Sequence, residues 1–157
     1  IDIDAMKIFL YSMFPITELR ISIPYFILIE NLPWHRVFIF SVLGNISIGI
    51  IVRYIISPIM LFFRKNKYFN TGIDYIIKRT YSSSKRMDKY KSISLILFIG
   101  IPLPFTGVWT GALAAYLLSI SRYRTISGII LGVLMSGIII TFISVTGSTL
   151  KNFFLLP

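Results

Sequence analysis

Glu18 and Arg20 stand two residues apart in "PITELRISIP", Pro15 to Pro24, at the centre of an otherwise apolar run. Arg53 interrupts the next apolar run. On insertion scales an ionised side chain in the middle of a bilayer costs about 2.5–3.5 kcal/mol, so such residues mark a pathway or binding site by default. Two arginines against one glutamate leave a positive charge over, which an anionic group such as a phosphate or carboxylate would neutralise. Glu18 is the candidate coupling site for a proton, because a carboxyl in an apolar setting can be held neutral as well as charged. The plainer alternative is a Glu18–Arg53 pair that staples two segments together, with Arg20 reaching toward the interface.

Composition dictates the setting of these charges. Of the 157 residues 55% are hydrophobic, and the mean hydropathy is +0.80. Soluble domains carry roughly 45–50% apolar residues. The surplus must face lipid, so the chain reads as an all-α integral membrane protein with one membrane domain over residues 1–157. The first residue is Ile1, and no stretch has the layout of a signal peptide. With no cysteine, thiol catalysis, disulfides and cysteine metal sites are excluded. The lone histidine, His35, lies between Trp34 and Arg36 and reads as interfacial rather than as a metal ligand.

The apolar segments are of two kinds. Val37–Phe63 and Ile126–Ile143 are nearly unbroken, and each is long enough for the roughly 30 Å of hydrocarbon, which takes about 20 helical residues. Asp4–Ile29 and Ser92–Ser121 are broken, at "FPITELR" and "GIPLPFTG", with Pro15, Pro24, Pro102, Pro104 and Gly111 as the breakers. Each half-segment is then about 15–20 Å long, too short to span. Half-helices joined by such a break predict re-entrant hairpins with tips near the midplane.

The segments also repeat. "PITELR" and "PFTGVW" share Pro15/Pro104 and Thr17/Thr106 at an offset of 89 residues. The long segments carry "GNISIG" and "GVLMSG" at an offset of 88. Residues 1–63 and 92–157 thus form two halves, each a broken hairpin followed by a long transmembrane helix. Between them residues 64–91 hold nine of the sixteen Lys and Arg. Nucleic acid could read such a stretch, but the positive-inside rule accounts for it as a cytoplasmic loop. Ile73, Ile76 and Ile77 with Lys78 and Arg79 could lay a helix on an anionic leaflet. Arg122 and Arg124 form a second basic cluster. Keeping both clusters inside, with Asp2 and His35 outside, gives the two halves opposite orientation, an inverted repeat of the kind that builds transporters around midplane sites.

At the tips, the half-helices after the breaks start near Thr17 and Thr106, and helix N-termini favour anions. Arg53, ten residues before Phe63, falls about 15 Å from that helix end, at the depth of the tips. Glu18, Arg20 and Arg53 are therefore expected to share one substrate site, with Thr17, Thr106, Gly107, Trp109 and Thr110 as further candidate lining. Asn45 and Thr141 are additional polar groups on the long helices. The glycines of the long segments are expected to allow close helix packing.

"ELRISIP" (Glu18–Pro24) and "PLPFTGVWTG" (Pro102–Gly111) resemble the two signature stretches of the small multi-drug export family, in order and spacing over nearly the whole chain. That family is similar to the wider DedA-like group, also described as VTT or SNARE-associated membrane proteins. The family usually has Gly where this chain has Phe105, which stiffens the second turn. The resemblance implies facing re-entrant hairpins and a transport role. For DedA-like relatives it implies proton-coupled handling of polyprenyl-phosphate carrier lipids through acidic and arginine residues, which carries over first to Glu18 and Arg20.

The leading expectation is a multi-pass plasma-membrane transporter, proton-coupled and flippase-like, for an anionic amphiphile such as a polyprenyl-phosphate lipid. A small-molecule or multidrug exporter is the alternative, and a small oligomeric channel or membrane scaffold follows. An enzyme is not expected: there is no HExxH, no pair of intramembrane aspartates and no Gly-x-Ser-x-Gly. Expected partners are the bilayer, an anionic lipid or amphipathic cargo and protons, with a homo-oligomer left open. Nucleic acid, metals and other cofactors are not expected.

Overall fold

The computed structural model describes residues 2–63, 85–104 and 106–155. These are all helical or connecting, in the order α1 (Ile3–Met13), α2 (Glu18–Leu28), α3 (Trp34–Phe63), α4 (Lys85–Gly100), α5 (Val108–Leu117) and α6 (Arg122–Leu155). Short, short, long occurs twice. The basic loop and its Ile73–Arg79 stretch fall almost wholly outside the described residues, as does Phe105.

Two helices are long and apolar enough to cross a bilayer, over Trp34–Met60 and Arg122–Gly147. They lie antiparallel. Phe38 and Val42, early in α3, pack at Gly137, well along α6; Gly49, further down α3, packs at Ile129, near the start of α6. Many of their remaining apolar side chains are exposed, among them Ile39, Leu43, Ile51, Leu131 and Phe142. A helix with apolar residues on faces that no protein covers is built for lipid.

The breaks fall where proline demands them. Residues 14–17 and 101–104 with 106–107 are non-helical. Pro15, Pro102 and Pro104 have no N–H to continue a helical ladder. Two other expected breakers do not break anything. Pro24 sits inside α2, where it leaves only one backbone carbonyl without its helical partner. Gly111 sits inside α5, where its missing side chain admits Ile99 of α4.

Packing is alike in the two halves of the chain. α1 lies on α3 and α4 on α6, while α2 crosses to α6 and α5 crosses to α3. Glycines set these contacts. A Cβ at Gly44 would strike Phe9 and Ser12 of α1, and one at Gly132 would strike Ile99 of α4. A Cβ at Gly49 would strike Ile129, and one at Gly137 would strike Val42, where the long helices cross. Glycines 88 residues apart thus do the same work in both halves. The core gathers Ile8, Leu19, Ile23, Val108, Ile129 and Val133, all at most 3% exposed.

Candidate functional site

The two breaks meet. α1 and α2 fold back on one another, with Asp2 ion-paired to Arg36 at the start of α3 and the Ser12 carbonyl accepting from Asn45 Nδ2 at 2.9 Å. That sets the first tip about 17 Å along α3 from Trp34. The second tip reaches the same level from the other end, since Val108 packs on Gly49.

At the junction the backbone N–H groups of Val108 and Trp109, the first two residues of α5, donate to the Glu18 carboxylate. These are orphan donors of a helix start, which carry the positive end of the macrodipole. The carboxylate reaches them because position 107 is glycine: a Cβ there would collide with both Glu18 oxygens. Glu18 is only 8% exposed and holds a left-handed backbone, φ 33°. For a residue with a Cβ this costs of order 1–3 kcal/mol, the kind of strain that collects at functional sites.

Arg20, two residues along, donates from Nη1 to the Leu103 carbonyl and from Nη2 to Thr106 Oγ1 at 2.7 Å. Trp109 mirrors it: its Nε1 donates to the Met13 carbonyl at 3.2 Å. Arg20 and Trp109 are 89 residues apart, and each donates to a carbonyl at the other half's break. Thr17 and Thr106 also match. Thr17 points its hydroxyl at the Tyr11 and Phe14 carbonyls, and Thr106 points its own at Ile101 and Leu103. Neither threonine caps the helix that follows it, as its position suggested; each faces back to the helix that ends. A hydroxyl proton can serve either carbonyl there, whereas Glu18 already fills the α5 N-terminus. Thr110 bonds the Gly107 carbonyl at 3.3 Å and is exposed.

The expected joint site of Glu18, Arg20 and Arg53 does not form. Arg53 Nη2 donates to the Ile120 carbonyl at 3.3 Å, beyond the far end of α5 from Glu18. α5 is about 15 Å long, so Arg53 lies at the level where α6 begins. Depth counted back from Phe63 misplaced it, because α3 runs on past the level of the α5–α6 turn. The Glu18–Arg53 staple is ruled out by the same distance. Among the described residues the space beside Glu18 is small. The space bounded by Glu18, Arg20, Asn45, Gly107 and Ser136 measures about 10 Å³, room for no more than about one water.

Larger spaces open sideways, and they are apolar. One of about 470 Å³ is lined by Trp34, Phe38, Ile138, Thr141, Phe142 and Val145. Another of about 520 Å³ runs along α3 from Ile48 to Ile59 and ends against Trp109, Thr110 and Leu113. No group of acids and histidines suited to a metal ion occurs among the described residues. What the sequence did not reveal were the donors to Glu18, although the pairing of Glu18 with Gly107 at the repeat offset carried that signal.

Residues 18–139 match the family described as "Putative small multi-drug export protein". No curated protein and no solved structure matches the chain. The matched span begins at Glu18, just after the first break, and contains the second break, α3 and α6 up to Ile139. It is well over half of the chain, and the chain belongs to this family.

Proposed function

We propose that this member of the small multi-drug export family is a multi-pass plasma-membrane transporter that exchanges a proton on Glu18 for the anionic head of an amphipathic cargo. One observation carries the reading: the donors best suited to receive an anion, the N–H groups at the start of α5, are held by the chain's own carboxylate. While Glu18 is charged, it is the anion. When Glu18 takes up a proton, its hold on Val108 and Trp109 weakens, and a phosphate or carboxylate head can take its place. Arg20 lies beside the vacated position and reads such a head with its planar fork. The cargo's apolar body lies in the groove along Ile48–Ile59, which runs to Trp109 and Thr110. A polyprenyl-phosphate carrier lipid is one cargo of this form.

The same reading takes the two halves as an inverted repeat of re-entrant hairpins. Matched hydrogen bonds 89 residues apart and antiparallel long helices support it. The basic loop is then cytoplasmic, with Asp2 and His35 outside. Exchange proceeds as one half rocks against the other about the interlock.

The full chain in liposomes, with an imposed pH gradient, tests this. A fluorescent long-chain alkyl phosphate is expected to move faster as the gradient steepens, and Glu18→Gln is expected to bind it but transport it without response to pH. Transport of a lipophilic cation with no transport of the phosphate would overturn the anionic cargo. Electrical conductance that does not saturate would overturn the carrier in favour of a channel.

A further inference from the structure

The guanidinium of Arg53 is in an unusual position for a buried cation. Arg53 is 7% exposed, its Nε is buried without a hydrogen-bond partner, and its hydrogen bond to the Ile120 carbonyl engages only Nη2. Another arginine, Arg122, acts on it repulsively. Arg122 in turn lies 5.9 Å over the ring of Tyr54, the residue after Arg53. The acids with described side chains, Asp2, Asp4, Glu18 and Glu30, belong to the first thirty residues and stand at other levels. Two guanidiniums beside one turn, with no carboxylate beside them among the described side chains, suit an anionic ligand.

Depth says where that anion comes from. Arg53 is about 28 Å along α3 from Trp34, close to the roughly 30 Å of hydrocarbon in a bilayer. With Trp34 at one surface, Arg53 stands at the other, level with the first turn of α6. The first N–H groups of α6 face the same turn, since the helical ladder opens with the bond from the Thr125 N–H to the Ser121 carbonyl. Ser119 turns the chain here through a left-handed backbone, φ 53°.

We propose that Arg53 and Arg122, with the start of α6, form a binding site for the phosphate of an anionic phospholipid. The Arg53 fork supplies the buried donors, Arg122 closes over the phosphate from the Tyr54 side, and the acyl chains lie on the apolar face of α3. This lipid is a fixed ligand at the bilayer surface, separated from Glu18 by the length of α5. The assignment therefore stands independently of the transport reading. Free phosphate offers the same oxygens, and the test separates the two.

The full chain in a neutral detergent is titrated with phosphatidylglycerol, with phosphatidylcholine and with inorganic phosphate, and is read by native mass spectrometry and by melting temperature. One phosphatidylglycerol is expected to stay bound and to raise the melting temperature, while phosphatidylcholine and inorganic phosphate do neither. Arg122→Gln, at an exposed position whose described contact is the face of Tyr54, is expected to bind phosphatidylglycerol about fivefold more weakly, with the lipid-free melting temperature changed little. Arg53→Lys keeps the charge but not the fork and is expected to weaken binding as well. Equal retention of phosphatidylcholine, or unchanged phosphatidylglycerol binding in both variants, would overturn the site. Saturation by inorganic phosphate that displaces the lipid would overturn the lipid in favour of a free anion.

Discussion

Positions 18 and 107 hold corresponding places in the two halves, yet one is glutamate and the other glycine. Elsewhere the halves agree. Thr17 and Thr106 both bond back to the carbonyls of the break before them. Arg20 and Trp109 both cross to carbonyls of the opposite half. Gly44 and Gly132 both seat the first short helix of their own half. At 18 and 107 the likeness has to fail. Two glutamates would place two carboxylates in one space of about 10 Å³, and two glycines would leave the α5 donors bare. One half supplies the charge and the other supplies the room for it.

Gly107→Ala attacks the comparison where it is sharpest. The added methyl would overlap both Glu18 oxygens, so the carboxylate must leave the α5 N-terminus. A loss of about 2–4 kcal/mol is expected, read as a large fall in melting temperature in detergent. Gly107→Ala combined with Glu18→Ala should recover part of that loss, since the clash goes with the side chain. Glu18→Gln comes next. The amide oxygen still accepts from one N–H but without charge, and a loss of about 1–2 kcal/mol is expected. The mirrored pair should give the smallest effects. Arg20→Lys and Trp109→Phe are each expected to cost about 1 kcal/mol or less, as bonds in membrane helix bundles do. Arg20→Lys should cost more, because Arg20 bonds two acceptors and Trp109 one. Equal effects from Gly107→Ala and from Gly111→Ala would mean that the Glu18 contact is ordinary packing.

The sequence disclosed those features that follow from a residue's own chemistry. Pro15 and Pro102 cannot donate, so the breaks were legible, and the long apolar runs fixed α3 and α6. The matching of Thr17 with Thr106 and of the paired glycines was legible as spacing. Pro24 misled because a membrane helix tolerates a lost backbone bond within it. The direction of the threonine hydroxyls depends on which carbonyls a break leaves bare, which spacing does not encode. Arg53 was misplaced because its depth depends on where α3 leaves the bilayer and on what α5 brings beside it. The filling of the α5 N-terminus by Glu18 is a contact across some ninety residues, visible only as a glutamate set against a glycine.

The crossed bond between the halves also has a date in the life of each molecule. Glu18 leaves the ribosome roughly ninety residues before Trp109, which at about 5–20 residues per second is roughly 5–20 seconds. Through that interval the first hairpin has been made, but the N–H groups that receive its carboxylate have not. Its charge and the bare Met13 carbonyl must keep water, or another protein, as partner. The nascent first half therefore waits in a wetter place than the one it will occupy, and synthesis of residues 101–109 is the event that lets it settle. In this cysteine-free chain, Leu19→Cys should react with a water-soluble thiol reagent when synthesis is stopped before residue 101, and should be shielded from it in a chain carried to its end, where Ile99, Val108 and Val133 close over that position.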